Sequence, residues 1–251
     1  MKLRVAFKGS PWIAASLLLG CMAGRVVSLH APAPVATASA APSQVAHQDP
    51  TFFWQERFDG PSLSWIAPFG HTAEQVASVY SLASEQGGPF LHAHHDARPE
   101  RQERVRAINY GMRFESDPPA LERVGKLRWR WRARQHPAVH DDPWLDLAAS
   151  VYVIVRQPTL LTDGKGFKFG WLASHGPAGT SQKGLAQIEL RADPADGSWR
   201  QEEVELCGLY RQLFGPCEGE HLGYVGVLTD ADGTESVAEG DYADMTIDRV
   251  R

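Results

Sequence analysis

Between residues 52 and 248 apolar and polar side chains alternate in short runs, and apolar stripes of helical period and useful length are missing. The clearest run is 126–134 (KLRWRWRAR). Leu127, Trp129, Trp131 and Ala133 fall on one face, and Lys126, Arg128, Arg130, Arg132 and Arg134 on the other. One face of that strand must be buried and the other wet or ion-paired. Residues 146–156 (DLAASVYVIVR) form a second strand, apolar on both sides near its end, which places it in the middle of a sheet. Further strands are expected at 52–58, 79–83, 90–94, 105–115, 167–173, 186–192, 198–206, 223–228 and 242–247. Turn-type punctuation separates them, for example Asp59-Gly60-Pro61, Asp117-Pro118-Pro119 and Asp232-Gly233. The residues between Cys207 and Cys217 read as one or two helical turns. About eleven strands and one short helix near 208–214 predict an all-β fold. It is expected to be a two-sheet antiparallel β-sandwich of jelly-roll type. An α/β enzyme is disfavoured, because strands do not alternate with helices.

The N-terminus has a different pattern. Lys2, Arg4 and Lys8 precede an apolar run of nine, Trp12 to Gly20, which is too short to span a bilayer as a helix. This is the layout of a secretory signal over residues 1–20. It ends in Leu18-Leu19-Gly20-Cys21, which resembles the lipobox of bacterial lipoproteins, where the cysteine is lipidated and becomes the new N-terminus. Leu19 departs from the Ala or Ser more usual there. A signal cleaved elsewhere, or retained as an anchor, is the alternative. Residues 31–50 are Ala, Pro, Ser and Thr with little charge or bulk, so they cannot offset their chain entropy by burial. The expected organisation is therefore a signal (1–20), a lipid-anchored Cys21 with a flexible tether (21–50), and one sandwich domain (51–251). The expected location is the periplasmic face of the envelope, as an outer-membrane lipoprotein.

The formal charge is −5; without Lys2, Arg4 and Lys8 it is 22 basic against 30 acidic residues, or −8. Net charge therefore gives no reason to expect a polyanion-binding surface, and no nucleic-acid module is visible. Cys207 and Cys217, ten apart, suit a disulfide in an oxidising compartment, worth roughly 2–3 kcal/mol by loop closure. Two reduced buried thiols are the alternative. Nucleotide loops, GxSxG and HExxH are absent from the sequence.

Several fragments in order carry a resemblance: Phe90-Leu91-His92-Ala93 after a Gly-Gly turn; Leu127-Arg-Trp-Arg-Trp131; Asp141-Asp142 followed by 146–154; Phe169-Gly-Trp171; and 226–234 (GVLTDADGT) ahead of Asp241-Tyr-Ala-Asp244. This order resembles a family of secreted bacterial domains of unknown function. Those domains look like the jelly-roll sandwiches that include many carbohydrate-binding modules. The resemblance implies fold and export and supplies no reaction. His94-His95-Asp96 departs from the small residues usual after that family's Leu-x-Ala strand.

Candidate chemistry is spread along the chain. Asp230, Asp232, Asp241 and Asp244, with Glu56 or Asp59 from the first strand, would suit a structural calcium, which needs several hard oxygen ligands. The alternative is that these acids cap turns. His92 and His94 share a strand face, and His136, His140, Asp141 and Asp142 share a loop, so a zinc site is conceivable. Arg128, Arg130 and Arg132 would suit an acidic sugar or phosphate unless carboxylates such as Glu189, Glu203 or Glu205 neutralise them across strands. Flat rings stack on sugars, and Trp171 is one candidate platform. An enzyme acting on acidic polysaccharides would draw on Tyr152, Lys168, His175 and the arginines. The expected function is a membrane-tethered, non-catalytic binding domain for a glycan or another envelope component. A polysaccharide lyase or hydrolase, and a structural or protein-interaction lipoprotein, are the alternatives.

Overall fold

The structure, a computed structural model, describes residues 51–68, 70–101, 104–157, 163–176, 179–180 and 184–250. The signal, Cys21 and the 21–50 tether lie outside the described residues. The strands in chain order are β1 Phe52–Glu56, β2 Tyr80–Glu85, β3 Gly88–Asp96, β4 Tyr110–Arg113, β5 Val124–Gln135 and β6 Ala149–Arg156. They continue as β7 Lys165–Trp171, β8 Gly179–Thr180, β9 Leu185–Arg191, β10 Arg200–Glu205, β11 Tyr224–Leu228 and β12 Val237–Arg249. Helices α1 Ala73–Val79 and α2 Leu206–Phe214 precede β2 and follow β10.

The strands make two six-stranded sheets. One runs β10-β5-β12-β3-β2, with β1 added to the far half of β12; the other runs β4-β11-β6-β7-β9-β8. Eight of them (β3 to β7, then β10 to β12) define the topology. Taken in that order, the first sheet reads sixth-third-eighth-first and the second reads second-seventh-fourth-fifth. That is the double Greek key of a jelly roll, so the sandwich expected from alternation is present.

The core follows from the alternation. Leu127, Trp129, Trp131 and Ala133 of β5 are all buried against the second sheet. Trp129 packs on Phe169 with ring centroids 5.5 Å apart, and Trp131 packs on Trp171 at 5.8 Å. Val151 and Val153 of β6 and Val225 and Val227 of β11 fill the same layer. Each such side chain contributes roughly 1.5–3 kcal/mol by leaving water. Cys207 and Cys217 form the expected disulfide, with Cα atoms 5.6 Å apart. The carboxylate of Glu205 caps α2 by accepting from the Cys207 and Gly208 amides.

Three features differ from the sequence reading. A second helix, α1, occupies residues just before β2, because Thr72 and Gln75 form a reciprocal capping box: the Thr72 amide donates to Gln75 Oε1 (2.9 Å) and the Gln75 amide to Thr72 Oγ1 (3.2 Å). One strand pair, β7 with β9, is parallel. The chain leaves β7, runs back through β8 at the sheet edge, and returns as β9 between the two. Finally, β12 starts at Val237 and runs thirteen residues. Register shifts along its β5 side and a left-handed Asp244 (φ 49°) bend it, so one strand pairs β3 with its first half and β1 with its second.

Candidate functional site

The arginine row lies on the outer face of the first sheet and is ion-paired throughout. Arg128 holds Glu203 (2.6 Å) and Asp248; Arg130 holds Asp244 (2.6 Å). Arg132 holds Asp241 and Glu85 (2.9 Å), and Arg134 holds Asp241 (2.6 Å) and, at 3.7 Å, Glu239. Trp199 lies flat beneath Arg132 and Arg130, 4.4 and 5.1 Å from their guanidinium carbons. The forks sought for an acidic sugar on Arg128, Arg130 and Arg132 are thus spent on protein carboxylates. Glu203 was among the acids anticipated; the others come from β2 and β12.

The five acids proposed as a calcium set do not meet. Asp241 and Asp244 belong to the arginine network. Glu56 accepts from the Phe58 amide (2.8 Å), and burial pushes its carboxyl up. Asp230 and Asp232 instead join Asp146, with ligand oxygens within 4.8 Å of one another, the one such cluster of three among the described residues. Asp146 accepts from the Gly233 amide (3.2 Å), the Thr234 amide (2.7 Å) and the Thr234 hydroxyl (2.6 Å). Asp230 accepts from the Asp232 amide, and Asp232 from the Ala107 amide, each at 3.1 Å. These are turn-capping bonds of the kind the sequence also allowed. A cation at this place would be held by Asp146, Asp230 and Asp232. The histidines bind neighbours: His92 Nδ1 lies 2.7 Å from Asp241, His94 3.8 Å from Glu239, and His136 Nε2 3.0 Å from the Asp193 carbonyl.

The catalytic cast is divided. Tyr152 and Lys168 are cross-strand partners on the outer face of the second sheet, opposite the arginine row across the core. Lys168 is buried beneath the Trp144 loop and donates to the Trp144 carbonyl at 3.1 Å. The loop lies flat because Gly170 has no Cβ; one there would sit 2.7 Å from the Trp144 ring. Burial lowers the Lys168 ammonium to about 8, against the pull of Asp230, Asp142 and Asp146. Burial pushes the Tyr152 phenol up, which disfavours the tyrosinate that a base would require. His175 is exposed and pairs with Glu189 at 2.7 Å. Trp171 faces the core and donates its indole N–H to the Asp193 carbonyl (3.0 Å), so it offers no platform.

A different place offers space. A groove of about 400 Å³ opens at one end of the sandwich, lined by Phe53, Phe114, Pro118, Pro119, Ala120, Arg123, His221, Arg249 and Asp117. That volume lies in the range of small-ligand sites. A second cleft beside Asp142 and Thr234 has room for about 10 Å³, one water at most. The groove has structural causes. The β1–β12 register shifts between Phe52 and Trp54, leaving Phe53 as the extra residue of a bulge that re-aims its ring. Prolines 118 and 119 stiffen the opposite wall, which the Ala120–His221 bridge and the Leu222 amide bond to the Pro119 carbonyl (2.9 Å) tie down. Arg123 ends a 3-10 turn (Leu121–Arg123), and its carbonyl accepts from the Val250 amide. Arg249 stacks on Phe53 with its guanidinium carbon 4.1 Å from the ring centroid. Sequence reasoning read Asp117-Pro118-Pro119 only as a turn and did not name Phe53, Phe114, Arg123, His221 or Arg249, because strand pairing across the whole chain is what assembles them.

No protein-family model matches the chain, and no curated protein matches it. Among solved structures it is similar to the K1 cleaved adhesin domain of Lys-gingipain from Porphyromonas gingivalis W83. The identity is 13%, with 79% of this chain and 98% of that chain covered and a TM-score of 0.36. It is also similar to an exo-beta-agarase, at 9% identity with a TM-score of 0.27, covering 68% of this chain and 22% of that one. The β-sandwich assignment rests on the strand pairing itself.

Proposed function

We propose that this chain is a cell-envelope protein whose jelly-roll domain binds a glycan in the end groove without catalysing its conversion. The observation that carries the reading is the groove: ligand-sized, walled by stiff prolines, with two aromatic rings and several polar groups directed into one space. Phenyl rings take the C–H faces of a sugar, while guanidinium, imidazole and carboxylate groups orient its hydroxyls. The signal, Cys21 and the tether support display from a membrane, with lipid as the anchor. Contiguous apolar surface of the kind a protein partner would cover is lacking among the described residues. Their exposed large hydrophobics are Val139, Leu213 and Val250, on separate elements.

The test is a glycan-array screen of the purified full chain beside a Phe53→Ala/Phe114→Ala variant of matched circular dichroism. Binding by the wild type that the variant loses supports the reading. Silence of the wild type across the array would overturn it. Palmitate-analogue labelling, lost on Cys21→Ala, tests the anchor.

A further inference from the structure

Guanidinium groups on this protein are mostly matched with carboxylates. The four of the β5 row are, and so are Arg98, Arg104, Arg113, Arg156, Arg191, Arg200 and Arg211. Arg57, Arg106, Arg123 and Arg249 have no carboxylate within ion-pair distance among the described residues, and of these four Arg123 and Arg249 line one groove. Asp117 is the sole acid lining it, and His221 adds a third basic side chain. In a chain of net charge −5, the groove lining carries a formal +1, two guanidinium groups against one carboxylate with His221 neutral, at a concave surface.

The two cations are also positioned. The Arg249 amide donates to the Thr51 carbonyl at 2.9 Å, and its Nε to the Phe52 carbonyl at 3.2 Å. The guanidinium lies over the Phe53 ring, and its terminal nitrogens have no hydrogen-bond partner among the described residues. Arg123 is held through its backbone on the facing wall, by its amide to the Ala120 carbonyl and by its carbonyl to the Val250 amide. One guanidinium set over a ring and a second carried on the facing wall suit the planar fork of a carboxylate or the oxygens of a sulfate or phosphate.

We infer that the groove selects an anionic sugar, its acid group held by Arg123 and Arg249 and its ring set against Phe53 and Phe114. The inference rests on the glycan reading above. Asp117 accepts from sugar hydroxyls and keeps the acid group on the arginine side.

The experiment is calorimetric titration of the purified full chain with oligosaccharides bearing uronate, sulfate or phosphate, each beside its neutral counterpart. An acidic member should bind about tenfold or more tighter than its counterpart, as expected for a charge-assisted hydrogen bond. Its affinity should fall with added salt, and Arg123→Gln/Arg249→Gln should abolish the preference. The acid group that gives the largest difference names the ligand class. Neutral counterparts bound as tightly, or a preference unmoved by the double variant and by salt, would overturn the inference and leave the glycan reading intact. Absence of binding by every member would overturn both.

Discussion

The Arg249 guanidinium carbon stands 4.1 Å from the centroid of the Phe53 ring, a side-chain contact added to the backbone pairing of the last strand with the first at the mouth of the groove. A stacked cation of this kind at a partly exposed site contributes about 0.5–1 kcal/mol. Arg249→Lys keeps the charge and loses the flat stack. It is expected to lower stability by about that amount in urea titration and to weaken ligand binding more than stability. An Arg249→Lys protein with unchanged affinity would show that the stack does not position the groove.

Asp241 is fully buried and receives His92, Arg132 and Arg134. Burial opposes its charge, yet the hydrogen bonds from those three residues outweigh it and hold the carboxyl below its ordinary value of 3.8. Its stabilising effect is thus complete above that value and is lost as pH falls through the lower native one. Asp241→Asn leaves two guanidinium groups without their shared counter-ion and should cost about 3–5 kcal/mol at pH 7. The deficit should shrink as pH falls below 3.8 and through the lower native value, where the wild-type carboxyl protonates. Urea denaturation of both proteins across that range is the check; a deficit constant with pH would contradict it.

Lys168 works in the opposite pH range. The native ammonium titrates at about 8 against 10.5 for an unperturbed lysine. Below pH 8 the charge is buried at full cost. Between 8 and 10.5 the unfolded chain holds a proton that the native state has released, so this group makes stability rise with pH. The span corresponds to on the order of 3 kcal/mol. Lys168→Met should therefore be most favourable relative to wild type near pH 7 and lose that advantage by pH 10. A stability difference between the two that is flat from pH 7 to 10 would refute the buried charge.

The Cys207–Cys217 bridge closes a ten-residue separation around α2. Reduction, or Cys207→Ala/Cys217→Ala, should lower stability by roughly 2–3 kcal/mol and shift the thermal midpoint down by several degrees. Because α2 packs on β5, the loss should appear as one cooperative transition with the rest of the domain, seen by far-UV and tryptophan probes together.

The sandwich was legible because alternation on β5 and β6 needs no partner to be recognised: Trp129 and Trp131 had to be buried wherever that strand went. The α2 turn and its disulfide were legible for the same local reason. Helix α1 was legible in principle, since Thr72-Ala-Glu-Gln75 is a capping box, but the apolar run that follows reads as strand. The acids of β12 show where local reading stops. Asp241 and Asp244 look like a metal loop when the strand is started at residue 242. Started at Val237, Asp241 falls opposite Arg132, and Asp244, in the bulge after Ala243, pairs with Arg130. The groove was least legible. A bulge at Phe53, a proline wall at 118–119 and the end of β12 meet through register and topology, and no local spacing encodes that meeting.

The most direct measurement of the central claim is amide hydrogen exchange of the full chain with and without the best-bound oligosaccharide from the array. Protection is expected at residues 52–54, 114–123, 221–223 and 249–250, with β5 and the Tyr152–Lys168 face unchanged. Protection concentrated on residues 126–134, or around Tyr152 and Lys168, with the groove unaffected, would contradict the account.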